Sequence, residues 1–410
     1  MRRLLAVARL RARAMARAVL MLALLLAPRA RADPSVPPPL PLPLQDADIL
    51  DKPAPYFRVE SVGLRYTHFD QTGTGYQSRR GPRGGPGRET LGVEEPQLEV
   101  VVKQGDRITH RIWTPVDIVT AASPDAIDVV SSASRSNEAG SFDWTAAYRA
   151  TPEATLSLRN GVHNEENFRS WNSGFGLLRA FAEENTVLEA SVNEVMDWFD
   201  GYTLKGVADG HRSRISTNLN AGLTQILSPT TLAHLDYGLT LQRGQLSNGW
   251  NIVPLRTGDV ALEVLPKTRV RHALVGRVAQ WLPWDGAAHA FYRFYVDDWG
   301  IRAHTMELEL HQRLSRVAHL RLNYRYHTQT GASFYRTRVD PSFKIATADS
   351  DLAALDAQTL GFKVTVDAPV RFAQSMRLAR SVRFDIGAER YFRSNDLRVS
   401  VYSCGLGFLF

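Results

Sequence analysis

A single cysteine, Cys404, leaves this chain of 410 residues unable to form a disulfide within itself. Beyond residue 32 no apolar run approaches the ~18–20 residues that a membrane-spanning helix needs. A dominant charge of one sign is missing as well. The chain carries 49 Lys and Arg against 42 Asp and Glu, but eight of the basic residues are arginines in residues 1–32, which hold no acid. The remainder has 41 basic and 42 acidic residues. The high isoelectric point therefore belongs to the first 32 residues and gives no footing for nucleic-acid binding. Motifs for common chemistry are scarce too. No Gly-rich phosphate loop follows a strand and opens a helix. The eleven histidines show no metal-binding spacing such as H-x-x-x-H on one face. Asp349-Ser-Asp351 lacks the ligand spacing of an EF-hand calcium loop. His304-Thr305 and Ser333 have no spacing that marks a nucleophile and its base. These absences argue against an enzyme and give no cofactor and no metal.

What is present begins with an export signal. Arg2, Arg3, Arg9, Arg11, Arg13 and Arg17 form a positive segment, Ala18 to Ala27 a short apolar core, and Ala30-Arg31-Ala32 a small-x-small cleavage site. Residues 1–32 thus read as a cleaved signal peptide, with Met15 an alternative start. No cysteine stands near the cleavage site to carry a lipid anchor. Residues 33–55 are rich in proline, with Pro37-Pro38-Pro39, Pro41 and Pro43 ahead of Asp46, Asp48 and Asp51. Proline stiffens a chain and removes donors, so this stretch reads as an extended periplasmic linker.

From Tyr56 onward the sequence alternates. Ile108, His110, Ile112 and Thr114 oppose Thr109, Arg111 and Trp113. Leu235, Tyr237, Leu239 and Leu241 oppose His234, Asp236, Thr240 and Gln242. Leu320, Leu322, Tyr324 and Tyr326 oppose Arg321, Asn323, Arg325 and His327. A strand changes sides with every residue, so each segment has one apolar and one polar face. Short turns near 104–106, 151–153, 183–185, 228–230, 283–286 and 315–316 alternate with longer loops at 70–91, 120–140, 198–210, 245–268 and 330–356. The pattern predicts an all-β fold: one transmembrane, antiparallel, up-and-down β-barrel over residues 56–410, of about 16 strands with 14 as the alternative. An even number puts both ends on the periplasmic side. Such a barrel belongs in the outer membrane of a Gram-negative bacterium. The last strand sets Tyr402, Cys404, Leu406, Phe408 and Phe410 on one bulky face. It resembles the closing strand of outer-membrane barrels, which implies docking to the barrel-assembly machinery.

The polar register of the later strands is heavily charged. It holds Arg269, Arg271, Arg277, Arg293, Asp297, Glu307, Glu309, His311, Arg313, Arg321 and Arg325. As lumen residues they allow two readings: a self-paired ladder that stabilises a wide barrel, or the wall of a solute pathway with a transverse field. The run from Arg79 to Arg88 holds four arginines, four glycines and two prolines, and in an outer loop it would meet lipopolysaccharide.

Tyr292-Arg-Phe-Tyr-Val-Asp-Asp-Trp-Gly-Ile301, His304-Thr305, Tyr324-Arg-Tyr326, Gln329 and Phe334-Tyr335, with Ile127–Ser134 and Thr224–Pro229, carry a likeness. Through them the sequence resembles the bacterial family catalogued as domain of unknown function 3570, over roughly 56–410. The resemblance implies an outer-membrane barrel. It also implies neighbours such as a small envelope lipoprotein, a thioredoxin-like protein and a flavin transferase, and hence a redox-linked envelope assembly, although no flavin or haem motif is present. Asp297-Asp-Trp-Gly300 reads as a tight extracellular hairpin with a rim aromatic at the membrane interface. Two functions follow as expectations: a channel or transporter for small solutes, or a closed barrel that scaffolds an envelope complex. An outer-membrane enzyme is the least favoured.

Overall fold

The computed structural model describes residues 56–73, 90–122, 138–249, 251–368 and 379–410. The signal peptide, the Pro-rich linker, the Arg79–Arg88 run and Ile127–Ser134 lie outside the described residues.

Among the described residues eighteen strands follow one another: β1 (Phe57–Gly73), β2 (Leu91–Gln104), β3 (Ile108–Ala122), β4 (Glu138–Arg149), β5 (Ala154–Glu165), β6 (Phe168–Phe181), β7 (Thr186–Tyr202), β8 (Ala208–Ser228), β9 (Thr231–Gly244), β10 (Ile252–Pro254), β11 (Val260–Leu262), β12 (Thr268–Leu282), β13 (Gly286–Asp297), β14 (Arg302–Arg313), β15 (Ala318–Gln329), β16 (Leu355–Asp367), β17 (Ser381–Arg393) and β18 (Leu397–Leu409). Sixteen of them form a closed antiparallel barrel in sequence order, and β10 and β11 form a separate hairpin. The barrel closes where β1 meets β18, from Ser61 opposite Leu409 to Gly73 opposite Leu397.

Each barrel strand has the two faces that alternation demands. On one face Leu188, Val192, Leu219, Leu235, Leu274, Met306, Leu308, Leu360 and Phe384 stand exposed. A soluble protein does not leave so continuous an apolar surface in water. This face meets lipid, and the other, polar face is the interior. Near the upper end of the lipid face, Tyr237 faces His272 and Tyr292 faces His304, with the phenol oxygens 2.8 and 2.7 Å from the imidazole Nδ1. Aromatic rings with polar tips mark a membrane–water boundary. Tyr402 and Leu406 are exposed on the lipid face of β18, in register with His68 and Leu64 of β1. Phe408 stands opposite Val62 on the same face, and the Phe410 amide donates to the Glu60 carbonyl just past the strand's end.

Two expectations about loops need correction. Residues 198–210 are mostly strand: Asp200 pairs with His211 and Tyr202 with Ala208, so only 203–207 connects β7 to β8. Here Trp198 and Phe199 fall on opposite faces of β7 and Asp209, His211 and Arg212 follow closely on β8, so no single apolar face remains and the period-two signal disappears. The stretch 245–268, read as loop, contains the β10–β11 hairpin, whose three-residue strands are too short to show periodicity.

Candidate functional site

The interior wall of β12 to β17 follows from the register. Arg271 stands opposite Asp297, Glu307 opposite Arg325, and Arg321 opposite both His311 and Lys363. Arg269, Arg271, Arg277, Arg293, Asp297, Glu307, Glu309, His311, Arg313, Arg321 and Arg325 all fall on this one face. The wall divides into three groups. At the outer end Arg269 and Asp297 form a buried, two-pronged ion pair, 2.9 and 2.5 Å. Midway, the Arg293 guanidinium lies over the Tyr295 ring and that of Arg277 over Phe291. In the half away from the cap end Arg321 lies between Glu309, 3.7 Å away, and Glu389, 3.5 Å away. Nearby, Lys363 and Arg65 both reach Asp385 at 3.4 Å. Arg313 sits at the barrel end away from Trp299, opposite His319.

Arg277 and Arg325 face the interior and yet remain exposed, as do Arg159 and Glu189 on the opposite half of the barrel. A core filled by side chains would bury them. The same face must also accommodate close neighbours. A Cβ added to Gly361 would lie 2.5 Å from the Asn323 side chain, and one on Gly405 would lie 2.4 Å from the Asp385 carboxylate.

Above this wall, the 245–267 and 330–354 segments fold together into a cap. Leu255 bridges to Val339 and Val264 to Ala346. Ile252, Val253, Val339, Ala346 and Ala348 make a small apolar core. Within the cap Glu263 is buried and accepts hydrogen bonds from Thr347 Oγ1 at 2.5 Å and Asn251 Nδ2 at 3.4 Å. Burial pushes its carboxyl up to about 7, helped by nearby Asp349 and opposed by those two hydrogen bonds.

Among the described residues, side chains tie the cap to the interior face at three points. Gln329 donates to the carbonyls of Asp351 and Ala353. Arg393 reaches Asp351 and Ser350 at 2.5 and 2.6 Å. At the third point Trp299 is only 5% exposed, stacked under the Arg269 guanidinium at 4.1 Å and edge-on to Phe334 of the cap. Its indole N–H donates to the Thr268 carbonyl. This corrects the expectation of a rim aromatic: Trp299 turns into the barrel mouth, not to the membrane interface. Asp297 orders the turn by accepting from the Trp299 and Ile301 amides, and Gly300 supplies the positive φ of +92° that completes it. Asp349 and Asp351 likewise have structural partners: Asp349 caps a short 3-10 helix, and Asp351 holds Arg393.

Linear spacing also missed one constellation. The β13–β14 register puts His289 directly opposite Glu309 and Ala287 opposite His311. One nitrogen of each imidazole and a carboxylate oxygen of Glu309 lie within 4.8 Å of one another. The signal was present as Glu309-x-His311 on one strand face. It needed the hairpin centre at Trp299 to reveal His289 as the partner.

Among solved structures, the chain is similar to a BenF-like porin from Pseudomonas fluorescens Pf-5, at 7% identity and a TM-score of 0.44, covering 86% of this chain and 99% of the porin. It is also similar to a bacterial polysaccharide outer membrane secretin, at 8% identity and a TM-score of 0.44, covering 85% and 98%. A mutant ferric enterobactin receptor from Pseudomonas aeruginosa matches at 9% identity and a TM-score of 0.42, over 80% of this chain. The chain spans 53% of that receptor's length. No curated protein matches the sequence significantly. The model of the family described as "Protein of unknown function (DUF3570)" matches residues 134–400, and the chain belongs to that family.

Proposed function

We propose that this barrel is an outer-membrane channel for small polar solutes, with the folded cap narrowing its outer mouth. The observation that carries the reading is the exposure of Arg277 and Arg325 on the interior face, with charges of both signs around them. Water reaches the wall below the cap, and a barrel of 16 strands has room for an aqueous lumen. In that lumen Arg277, Arg293, Glu307 and Arg321 set the local field. Replacing Arg277 and Arg325 with Glu should shift the reversal potential under a salt gradient towards cation preference. An unchanged reversal potential in a conducting barrel would remove both residues from the pathway.

A second reading, a closed barrel that scaffolds an envelope complex, is favoured by one observation. The cap is anchored to the interior face at Arg269–Trp299, Gln329 and Arg393. Under that reading, charge-neutralising changes lower stability and alter no current. Export through the signal at 1–32, delivery of β18 to the assembly machinery, contact with lipopolysaccharide and an envelope lipoprotein partner belong to the same proposal. The amino-terminal sequence of the mature protein tests the export step.

A further inference from the structure

We infer that His289, Glu309 and His311 form a binding site for one divalent transition-metal ion on the interior wall. The inference is independent of whether the lumen conducts. The three side chains come from adjacent strands whose pairing fixes their backbone. Glu309 Oε2 lies 3.0 Å from His311 Nε2 and 3.5 Å from His289 Nδ1, and the two imidazole centroids are 4.4 Å apart. Ligands 2.0–2.2 Å from a tetrahedral ion stand about 3.3 Å from one another, so two of the three separations already suit an ion. Rotation of the His289 ring closes the third.

The surroundings fit such a role. Ala279 and Ala287 flank the histidines across the strand pairs and leave room above the three ligands. The side chains of His289, Glu309 and His311 are 14%, 9% and 19% exposed, shielded yet open to the lumen. His289 Nε2 is buried and has no hydrogen-bond partner. Arg321 approaches the other carboxylate oxygen, Oε1, and shares its charge with Glu389, so Oε2 stays directed at the histidines. A ligating carboxylate held through its second oxygen is the usual outer support of a metal site. Two neutral imidazoles and one carboxylate suit zinc and its neighbours, not calcium or magnesium, which require more oxygen ligands. Three protein ligands leave a coordination position for water or a passing anion.

The test uses the full-length barrel, untagged, folded in detergent and stripped with a chelator. Zinc chloride is titrated by calorimetry, and cobalt(II) replaces zinc for visible spectroscopy. The expected result is one zinc per barrel with a Kd of about 1 µM or tighter, and cobalt bands of a low-coordinate nitrogen–oxygen site. His289→Ala and His311→Gln should each weaken zinc at least about tenfold, and His110→Ala, on the lipid face, should not. Heat-modifiable gel mobility confirms that each variant is folded. The wild-type cobalt spectrum decides the matter even if a variant fails to fold. A folded wild type with no saturable zinc binding and a spectrum of hydrated cobalt would overturn the inference. So would wild-type affinity in both histidine variants.

Discussion

Asp297 accepts from Arg269, Tyr295 and the amides of Trp299 and Ile301, and its side chain is fully enclosed. Removing one member of a buried, hydrogen-bonded pair leaves a stranded charge, a loss of about 3–5 kcal/mol. Asp297→Ala should therefore lower barrel stability by that order and release the turn that carries Trp299. Trp299→Ala should act more locally. It should free the cap to proteases within 330–354 while the barrel keeps its heat-modifiable mobility. Glu263 gives the cap a pH dependence with a definite sign. Its carboxyl titrates near 4.5 when unfolded and near 7 when buried. Folding therefore takes up a proton between those values. Cap stability falls as pH rises from about 4.5 to about 7 and is level above, a change of the order of 3 kcal/mol. Cleavage within 330–354 should be faster at pH 8 than at pH 5, and Glu263→Gln should flatten the difference. In the sequence Asp297 stands out only as a lumen charge and Trp299 only as a rim aromatic of a turn, and Glu263 does not stand out at all. Asp-Asp-Trp-Gly reads as a turn in water or in a barrel mouth alike, and a buried Glu in a loop looks like a solvated one until the loop is seen to fold.

Strands were far more legible, because the lipid band imposes a strict alternation on every segment that crosses it. The alternation fails where that cause ends. β7 and β8 continue above the band with Asp200, His211 and Arg212 on their edges, and there the sequence resembled a loop. Register was the other hidden quantity. His289 and Glu309 are twenty residues apart in the chain and neighbours only through the hairpin. A lipid-face substitution tests the membrane placement of the strands. Leu308 is 62% exposed, a position where a soluble protein tolerates Arg without loss. In a bilayer, Leu308→Arg near the midplane should cost about 2–4 kcal/mol of folding stability in lipid vesicles. The exposed wall residue Arg325, changed to Gln, should cost less, since its side faces the lumen. Equal and negligible effects at both positions would contradict the assignment of faces.

For the whole molecule, the barrel carries an interior wall with charges of both signs, and the cap is the restriction of the channel proposed. The wall below the cap keeps Arg277, Arg325, Arg159 and Glu189 open to solvent. The cap has its own apolar core and discrete anchors, so it can be removed without opening the barrel's closing seam between β1 and β18. Single-channel conductance in a planar bilayer decides whether the lumen is open, measured for the full-length barrel and for a variant with residues 334–348 replaced by a short Gly-Ser linker. Discrete steps are expected from the wild type and larger steps from the variant, with ion preference moving when Arg277 and Arg325 become Glu. A folded barrel that is electrically silent with and without the cap would contradict an open lumen.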